Sequence, residues 1–236
     1  MLATDRMAMN PGGRQPVRAV QQVAVGSLGL PGELSVPPGA WGQVLFAHGQ
    51  GSSRLSTRNW WVAGVLQQLG LATLLFDLLT EDEALCEQQP ADVDMLGERL
   101  VQAIDWAARQ PALAGLDVGL FGSGTGVAAA MVAAAARPAG VQAVVSRGGR
   151  PDLAAHRLSQ VQAPTLLIVG GADVEVLARN RQALRQLCGS KRLEVVPGAT
   201  HMFAEPGAMA SVAALAAGWF GGHLQPREPR FGLGRH

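Results

Sequence analysis

Short apolar runs alternate with segments of helical periodicity along most of this 236-residue chain. The runs read GQVLFAHG, LATLLFDLL, DVGLFG, VQAVVS, PTLLIVG and RLEVVPG, and such runs are typical of strands that are buried on both faces. Helix-forming segments lie between them, such as DMLGERLVQAIDWAARQ, whose apolar residues are spaced three or four apart. Because parallel strands need helical crossovers, the alternation predicts an α/β fold with a doubly wound, mostly parallel sheet flanked by helices.

The two ends of the chain and the edge strands complete the predicted domain organisation. RAVQQVAV and GELSVP predict two antiparallel strands at one sheet edge, joined through a glycine-rich turn. We expect residues 1–16 to be a flexible lead-in, residues 17–224 to form a single domain without a lid, and residues 225–236 to be a polar tail. The polar connection at residues 80–94 predicts either a short flap over a ligand site or a solvated acidic loop.

Composition and charge narrow the class of protein. The 19 basic and 18 acidic residues give a net charge of +1, which provides no electrostatic attraction for nucleic acid or a membrane surface. Cys86 and Cys188 form neither a disulfide framework nor a metal-ligand spacing. The first residues lack the apolar stretch of a signal peptide, and the apolar run Val127–Ala136 is too short to span a bilayer. We therefore expect a cytoplasmic protein that binds neither nucleic acid nor membranes and uses no metal or other cofactor.

The stretch GLFGSGTGVAAA, residues 119–130, predicts a strand that turns sharply into a helix. Its frame, Gly122-Ser123-Gly124-Thr125-Gly126, has the G-x-Nuc-x-G pattern of a nucleophile elbow, but glycine stands at the central position. Ser123 is an alternative nucleophile, although side chains alternate along a strand and it should point away from the direction of residue 124. A frame shifted by one residue would also put large residues, Phe121 and Thr125, where strand and helix approach closely.

Polar residues follow the predicted strands, at the edge where an open parallel sheet binds ligands. His48 follows GQVLFA, Asp77 follows LATLLF, Asp173 follows PTLLIVGGA and His201 follows RLEVVPGAT. A nucleophile turn, then an acid, then a histidine, each after a different strand, is the order of the triad in α/β-hydrolases. Asp173 and His201 are therefore the candidate acid and base, with Glu175 competing as the acid. Alternatively, Asp173 caps the following helix, His201 bonds to backbone, and His48 only shapes its loop.

Six stretches together resemble the dienelactone-hydrolase-like branch of the α/β-hydrolase superfamily: VLFAHGQGSSR, FDLLTEDE, GLFGSGTGVAAA, VVSRGGRPDLA, PTLLIVGGAD and VPGATHMF. The resemblance implies an α/β-hydrolase fold and the cleavage of small carboxylic esters or lactones by acyl transfer. It implies that Asp173 and His201 act beside Gly124, where such relatives carry serine or cysteine. It also implies an oxyanion hole formed by the backbone N–H groups of Gln50 and Thr125.

Glycine at position 124 leaves several functions open. The central residue of an elbow is held at positive φ, at a cost of order 1–3 kcal/mol for a residue other than glycine. Replacing serine by glycine therefore preserves the turn and removes only the attacking oxygen. The sequence is compatible with an engineered substitution and with a natural variant. The chain is accordingly an impaired hydrolase, a ligand-binding pseudo-enzyme, a hydrolase that uses water activated by His201, or a phosphotriester hydrolase.

Several side chains around the predicted site are candidates for substrate contact. Four arginines lie near strand ends, where they either bind an anionic substrate or pair with carboxylates to fix loops: Arg54, Arg58, Arg147 and Arg150. Trp60 and Trp61 open a helix beside the HGQG loop, and we expect one to pack in the core and the other to line a pocket. The expected partner is a small-molecule ester or lactone, the oligomeric state is open, and the candidate contacts are Arg54, Arg147, Trp60 and Ser123.

Overall fold

The computed structural model describes residues 20–49, 51–85 and 92–225. Within these ranges eight strands form one sheet: β1 (Val20–Val25), β2 (Leu30–Ser35), β3 (Gly42–Ala47), β4 (Leu71–Phe76), β5 (Asp117–Ser123), β6 (Ala143–Arg147), β7 (Thr165–Gly170) and β8 (Lys191–Val196). The α-helices of the same ranges are α1 (Thr57–Gln68), α2 (Glu81–Leu85), α3 (Val93–Ala108), α4 (Gly126–Ala136), α5 (Ala155–Leu158), α6 (Val174–Gln186) and α7 (Ala208–His223). A 3₁₀ turn at Pro151–Ala154 leads into α5.

The strand order is β1-β2-β4-β3-β5-β6-β7-β8. β1 pairs with β2 and β2 with β4 in antiparallel directions, whereas the six strands β4, β3, β5, β6, β7 and β8 run parallel to one another. The doubly wound, mostly parallel sheet and the antiparallel pair at one edge confirm the predicted fold class. The carboxyl ends of β3, β5, β6, β7 and β8 consequently lie along one edge of the sheet, which is where the candidate site residues follow.

Helices cover both faces of the sheet, and this explains why the central strands are apolar throughout. Along β3, Leu45 packs on the face covered by α3 and α4, whereas Val44 and Phe46 pack on the face covered by α1 and α7. The helix α4 is buried from Gly126 to Ala134 because it lies between the sheet and α3. Its alanine-rich sequence allows this close packing on every side.

The connection at residues 80–94 is partly helical. Glu83 on α2 forms an ion pair with Arg99 on α3, and the Nη1 atom of Arg99 also donates to the carbonyl oxygen of Leu78, at 2.8 Å. The Arg99 guanidinium holds the pKa of Glu83 at about 2. Residues 86–91, with Cys86, lie outside the described residues. The first half of the connection is therefore anchored to the domain, while its role as a flap stays a prediction.

The predicted domain boundaries stay predictions as well, because residues 1–16 and 226–236 lie outside the described ranges. Within those ranges no helix is both long and apolar enough to cross a membrane. No cluster of three or more His, Cys, Asp or Glu side chains suited to a metal ion occurs in the same part of the chain.

Candidate active site

The turn between β5 and α4 holds Gly124 in the left-handed region, at a φ of +57°. A Cβ atom on Gly124 would meet the Cα of Gly49 at 3.6 Å, and no other described atom beyond the neighbouring residues within 4 Å. A Cβ on Gly126 would lie only 2.2 Å from the carbonyl oxygen of Ala47, and one on Gly122 only 2.7 Å from the backbone of α4. A side chain therefore fits at 124 but not at 122 or 126, as the frame centred on 124 requires.

The residues on either side of Gly124 differ in their surroundings. Ser123 is buried at the end of β5, where it pairs in register with Arg147 on the sheet face covered by α1 and α7. The backbone N of Thr125 faces the loop after β3, because a Cβ on Gly49 would come within 2.9 Å of it. Gln50, the other predicted oxyanion donor, lies outside the described residues. The described part of this loop thus places Gly49 against the turn.

Asp173 and His201 are hydrogen-bonded: the Nδ1 of His201 lies 2.8 Å from the Oδ2 of Asp173. The other carboxylate oxygen of Asp173 accepts from the backbone N–H of Val176, at 3.3 Å, and so caps α6. From the sequence, helix capping and pairing with His201 were alternative roles for Asp173. The structure shows both, because each role uses a different oxygen of its carboxylate. Glu175 forms an ion pair with Arg179 instead. In a neutral imidazole whose Nδ1–H donates to Asp173, Nε2 is the nitrogen that accepts a proton.

The segment after β6 links this pair to the glycine turn. The backbone N–H of Arg150 donates to the carbonyl oxygen of Gly124, at 3.0 Å, and a Cβ on Gly148 would lie 3.9 Å from the Nδ1 of His201. The Nδ2 of Asn180, a fully buried residue of α6, donates to the Gly149 carbonyl oxygen at 2.9 Å and so holds this segment against α6. The imidazole of His201 is more than 4 Å from the Cβ position of residue 124. The segment after β6 therefore contacts both the turn at Gly124 and His201.

A cavity of about 340 Å³ lies at the carboxyl ends of β3 and β4, and α2 forms one of its walls. Asp77 at its edge accepts from the backbone N–H of Arg54, at 2.7 Å, and forms an ion pair with the Arg54 guanidinium. The Nε2 of His48 lies 3.2 Å from the same carboxylate. Burial acts to raise the pKa of Asp77, but His48 and Arg54 outweigh it, and the pKa is lowered. Arg54 is thus held by a carboxylate beside the cavity.

A second cavity, of about 450 Å³, lies between α1 and the start of α7. Trp61, which is 58% exposed, lines it together with Met202 and Phe203. Trp60, the predicted substrate contact, is not among its lining residues and packs instead against the apolar cluster beneath α1 and α7. Two consecutive helix positions face about 100° apart, and the sequence did not distinguish which of them faces the core.

The four arginines fall into two classes. Arg54 pairs with Asp77, and Arg150 with Asp152. Arg147 and Arg58 have no carboxylate within 4 Å among the described residues, although Arg147 is only 9% exposed. Burial first, and then the charge of Arg58, lowers the pKa of Arg147 to about 10, so Arg147 remains protonated at neutral pH. The sequence did not show which of the four arginines would have a carboxylate partner and which would not.

The left-handed turn leads to a prediction about stability. Replacing Gly124 by serine or alanine should lower the free energy of unfolding by about 1 kcal/mol, because a side chain fits but the backbone must adopt an unfavourable conformation. Chemical denaturation of the variants beside the parent protein measures the difference. A serine variant more stable than the parent would mean that the turn is not strained, and would contradict the frame centred on residue 124.

Comparison with known proteins places these features in a family context. Residues 80–220 match the family model of the dienelactone hydrolase family. The crystal structure of a dienelactone hydrolase from Anabaena variabilis superposes with a TM-score of 0.84 at 55% sequence identity, covering 90% of this chain and 100% of that chain. A dienelactone-hydrolase-like promiscuous phosphotriesterase from metagenomic libraries shares the fold, with a TM-score of 0.72 at 18% identity over 87% of this chain and 98% of that chain.

The curated relatives in two strains of Mycobacterium tuberculosis carry a different name. Each is provisionally named a phosphoribosyl transferase and is 53% identical to this chain over 203 residues. The match covers 86% of this chain but only 46% of each relative. This chain therefore spans about half the length of those proteins, and more than half of their sequence lies outside the match.

Proposed function

Because this chain belongs to the dienelactone hydrolase family, we propose that its site hydrolyses small carboxylic esters or lactones, with Gly124 at the position of the missing nucleophile. The observation that carries the proposal is the hydrogen bond of 2.8 Å between His201 and Asp173, a pair that the segment after β6 links to the left-handed turn at Gly124. Asp173 is the acid that orients the imidazole and stabilises its protonated form, and His201 is the base. The backbone N–H groups of Thr125 and Gln50 are the proposed oxyanion donors.

Water is the nucleophile that we propose for the chain as it stands. A Cβ at Gly124 would meet only the Cα of Gly49 within 4 Å among the described atoms beyond its neighbours. We propose that a water molecule occupies this space within reach of His201. The Nε2 of His201 takes a proton from this water as its oxygen bonds to the carbonyl carbon of the ester. The oxyanion then collapses, the bond to the leaving oxygen breaks, and the imidazolium returns its proton to that oxygen. No covalent acyl-enzyme forms on this route, so the reaction should be slow and without a burst.

Three other functions have weaker support than ester hydrolysis. A phosphotriester is a second candidate substrate, because attack on phosphorus also develops an oxyanion; the metagenomic phosphotriesterase supports it by fold alone. Alternatively, the crevice binds a ligand without chemistry. Phosphoribosyl transfer has less support, because more than half of each mycobacterial relative lies outside the match.

A cytoplasmic location is proposed too, supported by the exposed free thiol of Cys188.

Hydrolysis of p-nitrophenyl acetate tests the proposal. The protein should accelerate the reaction feebly and without a burst, and His201→Ala should lower the rate above background by about 10²-fold, since general base catalysis is lost. His156→Ala is the matched control, because His156 also pairs with an aspartate, Asp94, at 3.1 Å but lies in α5 on the exposed surface. An equal loss in both variants, or none in His201→Ala, would contradict the role of His201. A stoichiometric burst abolished by Ser123→Ala would show that Ser123 attacks.

A further inference from the structure

Two guanidinium groups that have no carboxylate partner among the described residues lie near the proposed active site. Arg147 ends β6 and pairs in register with Ser123, the residue before Gly124. Its Nη1 lies 3.9 Å from the Sδ of Met209 at the start of α7. Arg58, in the first turn of α1, is near enough that its charge acts on Arg147, and it lines the 450 Å³ cavity with Met209. Arg58 thus lines the cavity, and Arg147 contacts Met209, which lines it as well.

The burial of Arg147 needs a reason other than folding. A buried charge without a partner destabilises a protein, and a neighbouring charge of the same sign adds to the cost. The other two arginines near the strand ends avoid this cost through Asp77 and Asp152. Glu205 also lines the cavity, but it has no ion pair with Arg58 or Arg147, and Thr200 is its main hydrogen-bonding partner. Within the described ranges no carboxylate therefore forms an ion pair with either arginine.

We propose that Arg147 and Arg58 form a subsite for a dianionic group, of the phosphate monoester class, on the ligand that the cavity binds. Two neighbouring positive charges match two negative charges, and a phosphate monoester carries about −1.5 to −2 at neutral pH, whereas a carboxylate carries one. The planar donors of arginine suit the oxygens of phosphate. The exposed Trp61 and the buried Phe203 line the same cavity and provide apolar surface for the rest of the ligand.

The position of the subsite relative to Gly124 indicates which ligand would react. Because Arg147 is the in-register neighbour of Ser123, its backbone lies beside the turn, and an anion on its guanidinium would lie within the length of one arginine side chain of that backbone. This part of the inference rests on the proposed function: an ester whose acyl or alcohol part carries the phosphate would place its carbonyl group near residue 124. The phosphate itself is bound and is not cleaved.

Binding of phenyl phosphate and benzoate to the full chain tests the subsite directly. The two probes share an aromatic body but differ in charge, and isothermal titration calorimetry measures their dissociation constants. We expect phenyl phosphate to bind about tenfold more tightly than benzoate, and Arg147→Met and Arg58→Gln each to weaken its binding by about tenfold. Arg137→Met is the matched control, because Arg137 pairs with Asp105 on an exposed surface, and it should bind phenyl phosphate like the parent. Equal binding of the two probes, no binding, or unchanged binding in both variants would overturn the proposal.

The stability of Arg147→Met provides a second readout. If the arginine is kept for a ligand, methionine should raise the midpoint of thermal unfolding by about 2–4 °C, because an unpaired buried charge is replaced by an apolar side chain of similar length. A midpoint below that of Arg137→Met would show that Arg147 serves the fold and would overturn the proposal. Ester hydrolysis is tested separately with the neutral p-nitrophenyl acetate. If the protein binds phenyl phosphate but does not hydrolyse the ester, the proposed function alone is refuted. If it hydrolyses the ester but does not bind phenyl phosphate, only the subsite is refuted.

Discussion

Gly124→Ser should hydrolyse p-nitrophenyl acetate about 10²–10⁴-fold faster than the parent protein. The serine oxygen would occupy space that is open in the structure, since the nearest described contact of a Cβ is at 3.6 Å. His201 would then have a hydroxyl group to activate, and its hydrogen bond to Asp173 is already formed. Gly124→Cys should gain activity for the same reason, because a thiolate is the stronger nucleophile near neutral pH.

Stopped-flow kinetics of these variants distinguish the outcomes. Acyl transfer to the serine introduced by Gly124→Ser should produce an initial burst of p-nitrophenol equal to the enzyme concentration, provided that deacylation is the slower step. Adding His201→Ala to Gly124→Ser should remove the gain, whereas adding His156→Ala should not. An inert serine variant that remains folded would favour the ligand-binding function, because a site with a base and an oxyanion hole in place should respond to a restored nucleophile.

Gly126→Ala should destabilise the protein by about 3 kcal/mol, the largest effect on stability that we expect from a single methyl group. The added Cβ would lie 2.2 Å from the carbonyl oxygen of Ala47 and 2.6 Å from that of His48. Both are backbone atoms at the end of β3, so the clash cannot be relieved by rotating a side chain. Helix α4 or the loop after β3 must move instead, and with it the contact between Gly49 and the turn.

Urea denaturation of Gly126→Ala and a matched glycine variant measures this effect. Gly64 lies inside α1 with no described atom within 4 Å of its Cβ position, so Gly64→Ala should stabilise the protein by about 0.5–1 kcal/mol through helix propensity. The two variants add the same group and should shift the midpoint in opposite directions. A loss below about 1 kcal/mol in Gly126→Ala would mean that strand and helix are not tightly packed at the turn.

The sheet and its main helices were predictable because each central strand is a short run of mostly apolar residues. β3 and β4 are buried at every position, as the sequence patterns GQVLFA and LATLLF predict. The helix α2 was not predicted, because its residues are exposed and it is held by the ion pair between Glu83 and Arg99 rather than by an apolar face. The short α5 follows a proline-initiated 3₁₀ turn and has too few residues for a periodicity to show.

The order of residues along the chain predicts which side chains of the candidate site lie near each other, but it does not predict the partners of the arginines. The placement of Asp173 and His201 after successive strands predicts their proximity, since the carboxyl ends of β7 and β8 are adjacent in a parallel sheet. The partners of the arginines depend on contacts between distant segments. Arg54 meets Asp77 because β3 and β4 are neighbours, whereas Arg147 emerges between β5 and β7, neither of which ends in a carboxylate that reaches it. Local sequence carries no signal for this difference.

The open position at Gly124 also has an evolutionary consequence. A glycine codon that ends in a pyrimidine becomes a serine or cysteine codon by a change of its first base alone. The turn already has the backbone conformation and the space that either residue needs, and the paired Asp173 and His201 remain in place. On the proposed function, a gene encoding this chain with such a codon is therefore one point mutation away from acyl-transfer chemistry, at a cost in folding stability of about 1 kcal/mol. Selection could switch that chemistry on without rebuilding the site.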